Sequence, residues 1–275
     1  MLFLYSLLLG ITGVCSLFVY DENVAMVSLK LSQSAYCLNT TSNWDCSTCD
    51  GINTLYSVIE NKGSQAIVGY NEPNDAIFVA FRGSENIQNW INNIRISKVN
   101  PYPEFADISV EKGFYVSYQN IKPQIESNVR VLSEKYNTNS IMVTGHSLGG
   151  AMASLMVFDV LNGVYDNVNL LPFFTFGSPR VGNNEFVSKM NSYKSQMFRV
   201  THYYDIVPHV PEEVLGYLHI TNEIWYNEDN TQYTQCNDLH EVEDSQCSDS
   251  CAPIHCTSTD DHMYYIYLEM GSSNC

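Results

Sequence analysis

A serine enclosed by glycines is the most chemically suggestive feature of the sequence. Residues 145–149 follow the pattern G-x-S-x-G, with Ser147 at the centre. An apolar run at 141–143 predicts a buried strand before the motif, and residues 148–161 favour a helix after it. A sharp turn between strand and helix would expose the hydroxyl and direct backbone N–H groups towards a developing oxyanion. This context predicts that Ser147 is a nucleophile.

Such a serine needs an imidazole to accept its proton and a carboxylate to orient that imidazole. Of the seven histidines, His146 lies inside the turn beside the serine and is a poor base. In α/β-hydrolases the acid and then the histidine follow the serine along the chain. His262 is the candidate base, and His255 is the alternative. The candidate acid is Asp205, which precedes an Ile-Val-Pro segment but is one of many aspartates in this part of the chain.

Strand and helix signals alternate along the chain, which predicts an α/β domain. The β-branched segments 66–70 and 75–81 flank a turn at 71–74 and predict an antiparallel hairpin. Apolar residues at helical spacing predict a helix over 121–136. Residues 227–260 are polar, acidic and Cys-rich, which predicts a disulfide-stapled surface loop. The remaining strand signals lie at 173–176, 198–201 and 224–226.

A short amphipathic helix is predicted after residue 84. Ile87, Trp90, Ile91 and Ile94 fall at i, i+3, i+4 and i+7, and the intervening residues are polar. Periodicity alone favours a face that packs permanently on the core over a face that covers a site and moves.

The composition excludes some functions. The 275 residues carry a net charge of −17 with only 13 Lys and Arg, so nucleic acid is not an expected partner. A strongly anionic membrane would repel this surface, whereas a neutral or zwitterionic lipid surface would not. Cys46 and Cys49 form a C-x-x-C pair without a second pair at zinc-finger spacing, so no metal site is expected.

Several features indicate a secretory route. Residues 1–20 lack charged side chains, which predicts a signal peptide over 1–16 and a single domain over 17–275, with an uncleaved anchor as the alternative. Loss of Cys15 from the nine cysteines would leave an even number, which suits four disulfides. Asn39-Thr40-Thr41 is an N-glycosylation sequon.

A set of motifs from about Tyr20 to the end resembles the class 3 lipases, a group that includes the filamentous-fungal triacylglycerol lipases. The landmarks in chain order are Ser34-Ala35-Tyr36-Cys37, Phe81-Arg82-Gly83-Ser84, Lys112-Gly113-Phe114, the serine turn, Thr175-Phe176-Gly177-Ser178-Pro179-Arg180-Val181-Gly182, Arg199-Val200-Thr201-His202, Asp205-Ile206-Val207-Pro208, Glu223-Ile224-Trp225-Tyr226 and Asp261-His262-Met263-Tyr264. The resemblance implies an α/β-hydrolase fold, with a mostly parallel central sheet, helices on both faces and a short lid helix.

The resemblance also assigns roles to residues. It selects His262 as the base and Asp205 as its orienting acid, which completes a triad with Ser147. One oxyanion donor is expected at the N–H of Leu148, the residue after the nucleophile, and the resemblance adds Ser84 as the second. The amphipathic segment with Ile87, Trp90, Ile91 and Ile94 matches the lid, and Arg82 is expected to form a structural ion pair.

The resemblance implies one disulfide and one departure. Cys37 is expected to pair with Cys275, while Cys46 and Cys49 are expected to pair locally. The other four cysteines allow three connectivities, of which Cys236–Cys247 and Cys251–Cys256 are favoured. The family often has His at the position of Glu111, where a structural role is expected.

The function predicted from these features is hydrolysis of lipid esters of the triacylglycerol type, without a cofactor, by a monomer. Phospholipase A1 activity and hydrolysis of soluble, feruloyl-type esters are alternatives on the same fold. The apolar lid argues against a soluble substrate. A catalytically silent lipid-binding protein is disfavoured by the complete Ser147, Asp205 and His262 set.

Overall fold

The computed structural model describes residues 19–37, 44–51, 53–94, 96–236, 243–252 and 254–275. The helices are α1 (Glu22–Ser34), α2 (Ile87–Asn93), α3 (Lys112–Tyr136), α4 (Leu148–Leu161) and α5 (Asn184–Ser192). The strands are β1 (Asn53–Asn61), β2 (Ser64–Asn71), β3 (Ala76–Phe81), β4 (Lys98–Val99), β5 (Val110–Glu111), β6 (Ser140–His146), β7 (Asn169–Leu170), β8 (Phe173–Phe176), β9 (Met197–His202), β10 (Glu223–Tyr226), β11 (Tyr233–Gln235), β12 (Tyr264–Tyr265) and β13 (Leu268–Glu269).

One mixed sheet organises the chain. Its strands run in the order β1-β2-β3-β6-β8-β9-β10-β11, and the short β7 pairs with β6. The five consecutive strands from β3 to β10 in this order are mutually parallel, whereas β1, β2 and β11 are antiparallel additions at the edges. The predicted hairpin is confirmed as β2 and β3, in a register that pairs Ala66 with Phe81 and Asn71 with Ala76.

The sheet is buried on both faces, and β3 shows how. Ile77, Val79 and Phe81 belong to the core formed with α3, α4 and α5. Phe78 and Ala80, which point to the opposite face, pack in the smaller core beside α1. Because side chains alternate across a strand, a strand between two helical layers reads as continuously apolar. This explains the uninterrupted apolar run that the sequence shows there.

Each predicted strand and helix corresponds to an element of the structure, but several further elements were not predicted. The helix predicted over 121–136 begins at Lys112 and continues past Pro123. Helices α1 and α5 and the edge strand β1 were not predicted. Helix α1 lacks a plain apolar stripe because its buried face includes Ser28, Ser32 and Gln33. Among the described residues, no helix is long and apolar enough to cross a membrane.

The Cys-rich segment is more ordered than a plain loop, which corrects the prediction for 227–260. It contributes β11 at the sheet edge and a 3-10 turn at Ser248–Cys251. Arg180 joins it to the body of the protein through two bonds to the Glu243 carboxylate, of 2.7 and 2.8 Å. Both side chains are buried, so the pair fixes this segment beside the loop after β8.

The described cysteines form four disulfides, and these join the pairs that the sequence favoured. They are Cys37–Cys275, Cys46–Cys49, Cys236–Cys247 and Cys251–Cys256. The first pair links the end of α1 to the C-terminal residue across a sequence separation of 238. The side chain of Gln33 reinforces this closure, since it accepts from the Gly271 N–H and donates to the Gly271 carbonyl.

Removal of the long-range disulfide is expected to cost more stability than removal of the local one. The loop that a disulfide closes limits the entropy of the unfolded chain, and this term is about 5 kcal/mol for a separation of 238 residues. It is about 2 kcal/mol for the Cys46–Cys49 pair, whose separation is 3 residues. Denaturant unfolding of Cys37→Ser/Cys275→Ser and of Cys46→Ser/Cys49→Ser should show this order. Equal losses would contradict it.

A second stability prediction concerns His209, which lies beneath the Cys-rich segment. Burial, aided by the Arg180 charge, lowers the pKa of His209 to about 4. The unfolded chain therefore binds a proton below a pH of about 6.5, whereas the folded chain does not. The free energy of unfolding therefore keeps its full value above this pH. It falls by about 3 kcal/mol as the pH decreases from about 6.5 to 4, because only the unfolded chain binds the proton.

His209→Gln should lose less stability than the unmodified protein between pH 7 and pH 4. Urea unfolding at several pH values measures the difference. The exposed His255 provides the matched control, since His255→Gln should retain the full pH dependence. Parallel pH profiles for the unmodified protein and His209→Gln would show that His209 does not contribute.

Candidate active site

The backbone at Ser147 forms a sharp turn that requires glycine at two nearby positions. Ser147 lies between the end of β6 and the start of α4 with φ of 60° and ψ of −132°, which is strained for an L-residue. A Cβ on Gly145 would lie 2.3 Å from the backbone of Gly149, and a Cβ on Gly149 would lie 2.2 Å from the Phe81 carbonyl. The Ser147 N–H donates to the Phe176 carbonyl at 2.9 Å. Both glycines are therefore steric requirements of the turn.

A buried carboxylate and imidazole lie together beside this turn. His262 Nδ1 is 2.8 Å from Asp205 Oδ2, and both side chains are almost fully buried. Asp205 also accepts from the Val207 N–H and the Tyr265 hydroxyl. Because the carboxylate accepts, Nδ1 of His262 carries the hydrogen, which leaves Nε2 with the lone pair that a general base needs.

Two buried polar atoms at this site have no hydrogen-bond partner within the described part of the chain. They are Ser147 Oγ and His262 Nε2. Buried polar atoms are normally paired, so an unpaired donor and an unpaired acceptor in one site call for a reason. A hydroxyl that must lose a proton and a nitrogen that must accept one supply that reason.

Both ring nitrogens of His146 are hydrogen-bonded, so this residue is suited to hold its neighbours in place and not to act as the general base. Its Nε2 donates to the His262 carbonyl at 2.8 Å, and the Tyr36 hydroxyl lies 2.8 Å from its Nδ1. Burial lowers the pKa of His146 well below its usual value, and the neighbouring His262 adds to this effect. The ring is therefore neutral, Tyr36 is the donor to Nδ1, and the segment that carries His262 is held against the serine turn.

Sequence reasoning missed two tyrosines at this site. Tyr36 was noted only as part of a motif, and no polar role was predicted for Tyr265, although its hydroxyl donates to Asp205. Burial raises the pKa of Tyr265 well above its usual value, and the Asp205 charge adds to the rise. Tyr265 therefore remains a donor. A local sequence pattern does not indicate this role, because Asp205 is 60 residues away from Tyr265.

The segment after β3 lies against the nucleophile. A Cβ on Gly83 would lie 2.1 Å from the Tyr36 hydroxyl oxygen and 2.9 Å from Ser147 Cβ. Ser84, the next residue, is half-buried. Leu148 is the first residue of α4, so its N–H has no partner inside the helix. The two expected oxyanion donors thus lie on the segments that flank Ser147.

Helix α2 lies near the serine turn, since Trp90 and Ile94 line one cavity together with Leu148. Asn86 caps it by accepting from the Asn89 N–H at 2.9 Å, and none of its residues is fully buried. The Trp90 ring stacks on Phe114 at a centroid distance of 6.0 Å. Trp90 and Ile94 pack on the main core, a contact that a permanently packed helix and a closed cover would share.

The rest of the helix is loosely held. Ile87, Ile91 and Ile94 are each only half-buried. Arg82 forms an ion pair with Glu85 at 2.9 Å at the N-terminal side of the helix, which is the structural role expected for it. The helix therefore has no fully buried side chain to anchor it, and the partly buried Trp90 and Ile94 provide its contacts with the core.

Two groups of potential metal ligands occur among the described residues, and both depend on disulfide cysteines. They are His209 with Cys251 and Cys256, and Glu223 with Cys236 and Cys247. The sulfurs are bonded to one another, so they are not thiolate ligands while oxidised.

Comparison with known proteins places this geometry in a family. The model of the lipase (class 3) family matches residues 78–215. A lipase from Rhizomucor miehei is 32% identical over 252 residues, which cover 88% of this chain and 67% of that relative. Secreted mono- and diacylglycerol lipase 1 from Fusarium solani is 34% identical over 172 residues, which cover 62% of this chain and 50% of that relative. The chain thus spans about two thirds of the first relative and half of the second.

The fold comparison agrees. A solved triacylglycerol lipase, whose catalytic centre is described as a serine protease triad, is 31% identical with a TM-score of 0.83. The match covers 91% of this chain and 96% of that chain. The predicted α/β-hydrolase fold is confirmed, with its mostly parallel sheet flanked by helices. The chain therefore belongs to the class 3 lipases, a family of carboxylic ester hydrolases.

Proposed function

We propose that this protein hydrolyses the carboxylic esters of lipids through an acyl-enzyme, with Ser147 as nucleophile, His262 as general base and Asp205 as orienting acid. The observation that carries the proposal is the pair of unpartnered atoms, Ser147 Oγ and His262 Nε2, beside the bond of 2.8 Å between His262 and Asp205. Each group is buried and therefore held in one orientation, as catalysis requires.

The reaction follows from these roles. His262 Nε2 takes the proton as Ser147 Oγ attacks the ester carbonyl, and the charge moves to the carbonyl oxygen. The N–H groups of Ser84 and Leu148 bind this oxyanion, at about 3–4 kcal/mol for a well-placed donor. Collapse breaks the ester bond, and His262 returns the proton to the departing alcohol. Water then repeats the sequence on the acyl-enzyme and releases the acid.

The cover over the site supports an aggregated lipid substrate. Trp90 and Ile94 contact the core in the closed position, so opening would expose apolar surface at a cost of roughly 25 cal/mol per Å². Contact with lipid would remove that cost. The net charge of −17 favours a neutral or zwitterionic interface over an anionic one. A soluble aromatic ester would gain nothing from such a cover.

The proposed compartment is the secretory route. Four disulfides are expected to persist only in an oxidising environment. Relatives are named as secreted lipases. The proposed signal peptide over 1–16 and the sequon at Asn39 lie outside the described residues. Peptide mapping of the exported protein would test both.

Replacement of the nucleophile tests the proposed chemistry directly. Ser147→Ala should abolish ester hydrolysis and labelling by a fluorophosphonate while the thermal unfolding midpoint stays close to that of the unmodified protein. Ser154 on the same helix is the matched control, because its hydroxyl bonds the Gly150 carbonyl instead. Ser154→Ala should retain both activities. Undiminished hydrolysis by Ser147→Ala would refute the assignment of the nucleophile.

Replacement of Trp90 tests the cover. Trp90→Ser should lower the rate on an emulsified long-chain ester much more than the rate on dissolved p-nitrophenyl acetate. The soluble ester needs the triad and the oxyanion donors but no lipid contact. The control is Val131→Ser, which removes an exposed apolar side chain from the outer surface of α3 and should change neither rate. Equal losses on both substrates for Trp90→Ser would indicate core packing alone.

A further inference from the structure

The short turn that carries His262 is held by two other buried histidines. It spans Asp261–Met263, and its first two carbonyl groups each bond the ring of a histidine from another part of the chain. His146 binds the His262 carbonyl at 2.8 Å. The Asp261 carbonyl lies 2.8 Å from Nδ1 of His202, the last residue of β9, which is only 2% exposed. His202 is not a member of the triad, so its contact with this turn needs a separate explanation.

The partners of His202 determine which ring nitrogen carries the hydrogen. A carbonyl oxygen only accepts, so Nδ1 carries a hydrogen and donates it to Asp261. The Asn230 amide nitrogen lies 2.9 Å from Nε2, and the Asn230 amide oxygen accepts from the Ile266 N–H at 2.9 Å. The NH₂ group of Asn230 therefore faces the ring and donates to Nε2. If Nε2 is protonated as well, the Glu228 carbonyl at 3.1 Å accepts that hydrogen, and the bond from Nδ1 is unchanged.

The loop between β10 and β11 places Asn230 for this contact. Asn230 is only 1% exposed although it lies in a hairpin loop. Its φ of 57° is in the left-handed region, which asparagine tolerates better than most residues. Its side chain reaches the chain on both sides of His262, at Ile266 directly and at Asp261 through His202. The loop thus holds the segment that contains the proposed base.

The role of His262 explains why its turn needs this support. The imidazole must keep Nδ1 on Asp205 and Nε2 available to Ser147. A 3-10 turn of three residues provides few hydrogen bonds of its own. The Asp261 carbonyl closes the turn by accepting from the Tyr264 N–H, and the bond from His202 fixes the same carbonyl from outside. Displacement of a catalytic group by about 1 Å costs roughly 100-fold in rate.

We propose that His202, oriented by Asn230, is a positioning residue that holds the His262 turn in its productive place. It acts through the Asp261 carbonyl and takes no part in proton transfer. The inference rests on the proposed function, because it takes His262 as the general base. Loss of the contact should therefore slow the chemical steps without weakening the binding of a small ester.

The test measures kcat and KM on dissolved p-nitrophenyl acetate. Rates are expressed per serine labelled by a fluorophosphonate after long incubation, so that misfolded protein does not count. His202→Leu removes the donor to Asp261 and should lower kcat by roughly tenfold or more, because acylation and deacylation both use His262. KM should stay within about twofold, since His202 does not contact the substrate.

A conservative variant and a matched control separate positioning from stability. In His202→Asn the amide nitrogen can take the place of Nδ1, and this variant should recover most of the kcat that His202→Leu loses. Tyr118→Phe removes a different buried hydrogen bond, the one of 2.9 Å to Asp159 between α3 and α4. It should keep both kinetic constants.

Asn230→Gly tests the contribution of the loop. Glycine adopts a φ of 57° without strain, so the change removes the amide and preserves the turn. It should lower kcat roughly threefold, the effect of one weak hydrogen bond. The double variant with His202→Leu should be no slower than His202→Leu alone, because both changes act on the same contact.

Several results would overturn the inference while the proposed function stands. Unchanged kcat in His202→Leu is one, and equal losses in His202→Leu and His202→Asn are another, since the missing donor would not be the cause. Losses that multiply in the double variant would refute the role of Asn230. If His202→Leu yields no labelled serine, unchanged kcat in Asn230→Gly decides against the inference. If the unmodified protein is neither labelled nor active, the proposed function fails and this inference fails with it.

Discussion

The strained backbone of Ser147 is the constraint on which the rest of the site depends. A residue with φ of 60° and ψ of −132° is held there only if its surroundings leave no alternative. Those surroundings are the close contact of Gly145 with Gly149 and of Gly149 with Phe81 at the end of β3. The contact with β3 requires β3 and β6 to be parallel neighbours, as they are. The sheet order is therefore part of the catalytic geometry.

A chain of buried polar contacts extends this constraint to the other parts of the site. Tyr36 comes from the end of α1, His146 from β6 and His262 from the C-terminal region, and two bonds of 2.8 Å connect them through the ring of His146. The Cys37–Cys275 disulfide adjoins the first of these residues and closes the chain around them. A neutral, fully buried His146 thus stabilises an arrangement between segments that are remote in sequence.

The sequence was sufficient for features set by local rules. The serine turn, the β2–β3 hairpin and the strand signals depend on glycine sterics, turn residues and apolar periodicity, all of which a short window contains. The assignment of Ser147, Asp205 and His262 to one site depended on their order along the chain and on the family resemblance. The roles of Tyr36 and Tyr265 escaped because each depends on a partner more than 50 residues away. Helix α1 escaped because its buried face is partly polar, which masks the usual stripe.

The unpaired buried atoms of the site have a common physical meaning. Ser147 Oγ and His262 Nε2 both lack partners among the described residues. For the proposed cover, an unsatisfied buried group raises the free energy of the closed form, while the apolar contacts of Trp90 and Ile94 lower it. Opening would hydrate the polar atoms and expose the apolar side chains. A lipid surface would remove the cost of that exposure and leave the polar atoms hydrated, so the proposed cover would open where substrate is present.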